Sequence, residues 1–241
     1  MAPAPRFSPE EQEKLVLCAA ISTIEQSSLL DFSMSKIAKL AGLSMGSVYK
    51  FVQCKEDVLI ALATRMYQER QRVFKQVLLL PLTTPERIIA NSLLDFSKVQ
   101  MYDFDDQLES IVNTRAMMKR CSPRWLDQMI ACGKVCEGMF QSFLQSASDS
   151  GELTSGDRDI AEINSGTWSL AIGYFQTVRL HQCWQKEQNS CEEGECVPAL
   201  APDNEHIRSL QRLINTYDWQ QQVSNEDILK ICQSLVDAGL R

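Results

Sequence analysis

Between Ser33 and Lys55 the chain reads SMSKIAKLAGLSMGSVYKFVQCK, with four lysines and no acidic residue, in a protein whose formal net charge is -7. The chemistry this window offers is attraction to phosphate. It holds fixed positive charge, hydroxyl donors at Ser33, Ser44, Ser47 and Tyr49, and Gly46, where a bare backbone can come close to a partner. Such groups act together only on a shared face, and the spacing supplies one. Ser33 and Ser44 each stand as an N-cap before a helical pattern. Gly42 falls where the first helix must stop, and it takes the left-handed conformation without a Cβ clash. Ile37, Ala38 and Ala41 give the first helix an apolar face, while Leu43, Val48 and Phe51 serve the second. Ala38 is small where two helices must cross closely. The window is predicted to be a helix-turn-helix, with Met45 to Phe51 as the segment presented to a DNA major groove.

Other constellations offer less. His181, Cys183, Cys191, Cys196 and His206 include soft metal-ligand types. Their spacing forms neither a CxxC pair nor a finger, so Cys183, Cys191 and Cys196 are weak candidates for a metal or thiol-redox site beside the simpler reading of free loop thiols. The run Asp105-Asp106-Gln107-Leu108-Glu109 is similar to the aspartate-rich Mg²⁺ motif of all-helical prenyl-transfer enzymes. No second acidic motif accompanies it, and carboxylates also suit the first turn of a helix. HExxH, the P-loop and GxGxxG are absent from the sequence, and two histidines leave few options for general acid–base work. The chain is not expected to be an enzyme, and no cofactor is expected.

The elements that must position the basic window follow from composition and periodicity. With 241 residues, 44% apolar and 23% charged, the chain can form a large domain, or a small domain on a bigger one. Residues 1–72 balance to +1 and the remainder to -8, so only the N-terminal part suits a polyanion. The N-terminal MAPAPR lacks the apolar segment of a secretory signal, and no stretch is long enough to span a bilayer. A cytoplasmic location with no membrane partner is expected, and the nine cysteines then read as small hydrophobes or free thiols, Cys132 and Cys136 among them.

Helical periodicity runs from Pro9 to about Glu25 with Ser8 as N-cap, then from Lys55 to just before Pro81. It resumes after a cap at Thr84, then from Asp105 to Arg120, from Pro123 through Phe143, from Asp157 to Lys186, and in two last segments near 203–217 and 224–238. The stretch 188–204 reads as a loop, and no strand is predicted. The fold class is all-α: an N-terminal three-helix helix-turn-helix head, residues 1–59, on a larger helical ligand-binding and dimerisation body, residues 60–241.

The stretch from Ser33 to Leu59 resembles the DNA-binding head of TetR-type transcriptional regulators. That family has a Thr, Ile-Ala, Ala-Gly-Val-Ser, a Gly, Thr-Leu-Tyr, an aromatic pair and a Lys-Glu before a long helix. Here these stand as Ser33, Ile37-Ala38, Ala41-Gly42-Leu43-Ser44, Gly46, Ser47-Val48-Tyr49, Phe51 and Lys55-Glu56. Where the family usually has His or Tyr and then Phe, this chain has Phe51 and Val52. Phe51 brings no polar tip to a phosphate, so it packs inward or the register shifts. The resemblance implies a homodimer that binds a near-palindromic double-stranded DNA operator and releases it when a small effector occupies the body. Matched positions then place Ser44, Met45, Gly46, Ser47 and Lys50 at base edges or the groove wall. Ser33, Tyr49 and Lys55 fall to phosphates, with Lys36 added to the DNA-binding set.

The body is rich in Met and aromatic residues. If it encloses a mostly apolar effector pocket, the candidate lining is Phe96, Tyr102, Met117, Trp125, Met129, Phe140, Trp168 and Phe175, with Arg115, Gln176 and His181 as polar handles. The seam of a dimer is expected on the 157–186 helix or on the last two, whose stripe of Ile228, Ile231 and Leu235 needs a partner in this chain or another. Two other classes fit less of the sequence: a metal or thiol-redox sensor of the same architecture, and a helical ligand-binding protein or enzyme with a non-functional head.

Overall fold

The computed structural model describes residues 7–185 and 199–241, without the side chains of Arg179 and residues 182–185. Eleven α-helices carry it: α1 (Pro9–Glu25), α2 (Met34–Ala41), α3 (Met45–Val48), α4 (Lys55–Leu78), α5 (Thr84–Ser92), α6 (Asp105–Val112), α7 (Arg115–Arg120), α8 (Pro123–Asp149), α9 (Ile160–Gln185), α10 (Glu205–Ile214) and α11 (Asn225–Asp237). Among the described residues there is no strand, only a single antiparallel bridge between Leu153 and Trp219. None of the described helices is long and apolar enough to cross a membrane. The chain is all-α.

The chain forms two compact units, one within Met1–Glu69 and Gln100–Lys134, the other within Arg70–Val99 and Val135–Arg241. Helices α4 and α8 each contribute residues to both. In the first unit α1, α2 and α3 pack on one another over a core that includes Leu17, Ile24, Phe32, Ile37, Val48 and Val52. Residues far along the chain join this core, among them Tyr102, Leu108 and Trp125. In the second unit α5, α9, α10 and α11 surround Ile89, Leu93, Leu210, Ile214 and Ile231. The stripe of Ile228, Ile231 and Leu235 finds its partner there: all three are buried within their own unit.

Several helix ends differ from the sequence expectation, each for a local reason. The recognition segment stays helical only to Val48. Tyr49, Lys50 and Phe51 form a turn in which Phe51 N and Val52 N donate to Val48 O at 3.0 and 3.1 Å, and that turn carries Val52 into the core. The 105–120 helix breaks in two because Thr114 recaps the chain, its hydroxyl accepting from Met117 N. Thr83, not Thr84, stands before α5. Glu86 reaches back to the Thr83 N–H and hydroxyl at 2.7 Å each, while Thr84 donates to Glu152 instead. A 3-10 turn at Gly156–Asp159 delays α9 to Ile160.

Candidate nucleic-acid interface

The helix-turn-helix is built by its caps. The Ser33 hydroxyl accepts from Lys36 N at 3.2 Å and starts α2, and the Ser44 hydroxyl accepts from Ser47 N at 3.1 Å and starts α3. Between them Gly42 adopts φ +66°, where its N–H closes the end of α2 on Ala38 O and Lys39 O. A helix of four residues does not hold by itself. Val48, fully buried, anchors α3 to α1 and α2.

That anchoring leaves the opposite face in water. Lys36, Lys39, Ser44, Gly46 and Lys50 are exposed, Ser33 and Ser47 half-buried. Met45 at 36%, Tyr49 at 45% and Leu40 at 53% exposure place apolar surface among the lysines. A face mixing cations, hydroxyls and small apolar contacts matches what a major groove displays: phosphates, base-edge donors and acceptors, and thymine methyls. Lys39 and Leu40 were not singled out from sequence, although their i, i+3 and i, i+4 relation to Lys36 was the available signal. An added Cβ on Gly46 meets only Ser44 Oγ at 3.9 Å. Nothing inside the chain therefore requires glycine there.

Lys55 is placed differently. Its Nζ donates to Leu30 O at 3.2 Å and lies 4.9 Å from the centre of the Phe32 ring, so the ammonium ties α4 to the loop before α2. Phe51 packs partly inward against the core, and its carbonyl accepts from Trp125 Nε1 at 2.9 Å. Asp57, fully buried, accepts from Gln53 N at 2.8 Å and from Ser122 N at 2.6 Å. Glu56 pairs with Arg120 at 2.8 Å. The exit of the helix-turn-helix is thereby fastened to the start of α8 by one buried carboxylate and one indole. The role of Asp57 is not legible in the sequence, because a partner 65 residues away leaves no local signal.

The apolar candidates divide between the units. Tyr102, Trp125 and Met129 are buried in the first, with Met117 packed against them. In the second, Phe96 and Phe175 meet edge to face at 4.5 Å, and Phe140 lies 6.3 Å from Phe74. Trp168 is 52% exposed. Asp105 is spent on structure, its carboxylate accepting from Met101 N and Tyr102 N at 2.9 and 3.0 Å. Arg115 and Gln176 are exposed. His181 lines a cleft of about 380 Å³ between α9 and α10, together with Tyr174, Glu205 and His206.

Cys191 and Cys196 lie outside the described residues, as does the side chain of Cys183. Among the described residues no three His, Cys, Asp or Glu side chains are grouped to hold a metal. Cys54 and Cys121, near Asp57, are held protonated: burial first, then the Asp57 carboxylate, pushes Cys54 up to about 11 and raises Cys121. Neither is a reactive thiolate near neutral pH.

No family model matches the chain, and no curated protein matches its sequence. Among solved structures its fold is similar to that of a transcriptional regulator FadR from Bacillus subtilis in complex with stearoyl-CoA. The TM-score is 0.52 at 16% identity, over 84% of this chain and 95% of that one. The fatty acid degradation regulator FadR from Bacillus halodurans aligns with a TM-score of 0.48 at 14% identity, over 88% and 95% of the two chains. At 16% identity the likeness to the first of these is one of fold alone.

Proposed function

We propose that the protein is a TetR-type, DNA-binding transcriptional regulator that acts in the cytoplasm as a homodimeric, effector-responsive repressor of a near-palindromic operator. The observation that carries this reading is the exposed face of the helix-turn-helix, where an acidic chain gathers lysines, hydroxyls and a dispensable-looking glycine around a capped recognition helix. Ser44, Met45, Gly46, Ser47 and Lys50 meet base edges or the groove wall. Ser33, Lys36, Tyr49 and Lys55 serve phosphates, Lys55 also bracing the loop before α2. Residues 1–59 are the DNA-binding head and 60–241 the effector and dimerisation body.

Release follows from a population shift. Two recognition helices grip DNA only when their separation matches successive major grooves, about 34 Å. A small, mostly apolar effector that binds one tilt of α4 better than another moves that separation, and equal affinity for both tilts moves nothing. The Asp57 and Trp125 bonds support this route, since they fasten the exit of the head to α8 as well as to α4.

Selection of bound fragments from the source genome, at two salt concentrations, tests the reading. The expected outcome is a near-palindrome whose affinity falls steeply as salt rises. Random fragments bound with equal affinity would overturn it.

A further inference from the structure

His206 is buried, 2% exposed. Its ring stacks on Tyr174 at 4.4 Å and 15°, and its Nε2 lies 3.3 Å from Ser92 Oγ. Among the described residues Nδ1 finds no hydrogen-bond partner. A buried ring nitrogen left unpaired is unusual in a native fold, because desolvation is not offset by a bond. This ring borders the cleft between α9 and α10. The opening has room to receive something: a Cβ built on Gly173 meets nothing within 4 Å.

We propose that this cleft is the effector site, and that it takes a small, uncharged, mostly apolar molecule carrying one hydroxyl that hydrogen-bonds to Nδ1 of His206. The inference rests on the reading of the chain as an effector-responsive regulator. Leu170, Val178 and the Tyr174 ring supply apolar walls. Among the described residues no Lys or Arg lines the cleft and Glu205 does, which disfavours an anion. Burial lowers the His206 pKa and keeps the ring neutral. If Nε2–H donates to Ser92, Nδ1 must accept. If the Ser92 hydroxyl donates to Nε2, Nδ1–H must donate. A hydroxyl satisfies either tautomer, which a purely donating or purely accepting group does not.

The test uses the full chain and three probes of one shape: 2-naphthol, naphthalene and 2-naphthoate. Binding is read by calorimetry and by the ¹⁵N shifts of the histidine rings. Naphthol should bind and move the His206 Nδ1 signal, with naphthalene about fivefold weaker and naphthoate weaker still. His206→Phe keeps a ring against Tyr174 and should erase the preference for naphthol over naphthalene. Gly173→Leu fills the cleft without backbone strain and should abolish binding of both, with melting temperature and sedimentation unchanged. Naphthol binding that survives Gly173→Leu, a His206 signal that stays still at saturation, or no binding of any probe would each overturn the proposal. None of these readouts involves DNA. Failure to recover an operator sinks the regulator reading and leaves the cleft standing, and failure here with an operator in hand does the reverse.

Discussion

Two glycines in one motif do opposite things. Gly42 is required by the fold, since φ +66° is costly for any residue with a Cβ. Gly46 has an ordinary backbone and open space around it, so its own helix would prefer alanine. Gly46→Ala should leave the melting temperature unchanged or raise stability by up to about 1 kcal/mol. The same change should weaken operator binding tenfold or more, because the added methyl occupies the space of a close approach. Thermal melts beside a DNA titration read both effects, and full affinity in the variant would remove Gly46 from the interface. The residue scale was also where sequence reading was most uneven. Caps and glycines are local, so Ser33, Gly42 and Ser44 were legible. The Asp57–Ser122 and Trp125–Phe51 bonds join residues 65 and 74 positions apart, and nothing in either segment advertises the other.

Helix boundaries obey the same divide between local and distant causes. The last helix, α11, is set by its own cap: the Asp227 carboxylate accepts from the Ser224 hydroxyl at 2.6 Å, Ser224 N at 2.9 Å and Lys230 Nζ at 2.9 Å. These bonds, the Ser224 hydroxyl first, hold its pKa down from 3.8 to about 2. A carboxylate depressed in the folded state stabilises it above the unfolded value, and that stability is lost as pH falls from about 4 toward 2. Asp227→Asn should therefore cost about 1 kcal/mol at pH 7, and the gap to the parent should narrow as pH falls below about 4 and close only below about 2. Denaturant melts across that range measure it, and a gap that does not narrow between pH 4 and pH 2 would assign the effect to packing. Periodicity located this helix and most others correctly. It missed the break at Thr114 and the early end of α3 at Val48, because a helix stops where a competing cap or a buried side chain wins, and hydrophobic spacing does not register that contest.

Among the described residues, α9 keeps apolar surface that the packing of its own unit does not cover. On α9, Trp168, Ile172 and Leu180 are 52%, 39% and 52% exposed, although the last helix buries Ile228, Ile231 and Leu235 internally. Surface of this kind, centred on a tryptophan, is the usual content of an interface hot spot. A two-fold seam would bring Trp168 in twice, so one substitution is felt from both protomers. Leu229 and Val236 on α11, 61% and 50% exposed, are the competing patch. Trp168→Glu should raise the dimer dissociation constant at least about 30-fold, equivalent to 2 kcal/mol or more, and reduce operator binding to that of a half-site. Leu229→Glu should leave both untouched. Sedimentation equilibrium with a full and a half operator separates the cases. A Trp168→Glu protein that stays dimeric, with Leu229→Glu falling apart, would move the seam to α11. Trp168, Ile172 and Leu180 would then stay exposed on α9, beside the α9–α10 cleft, with no dimer across that helix.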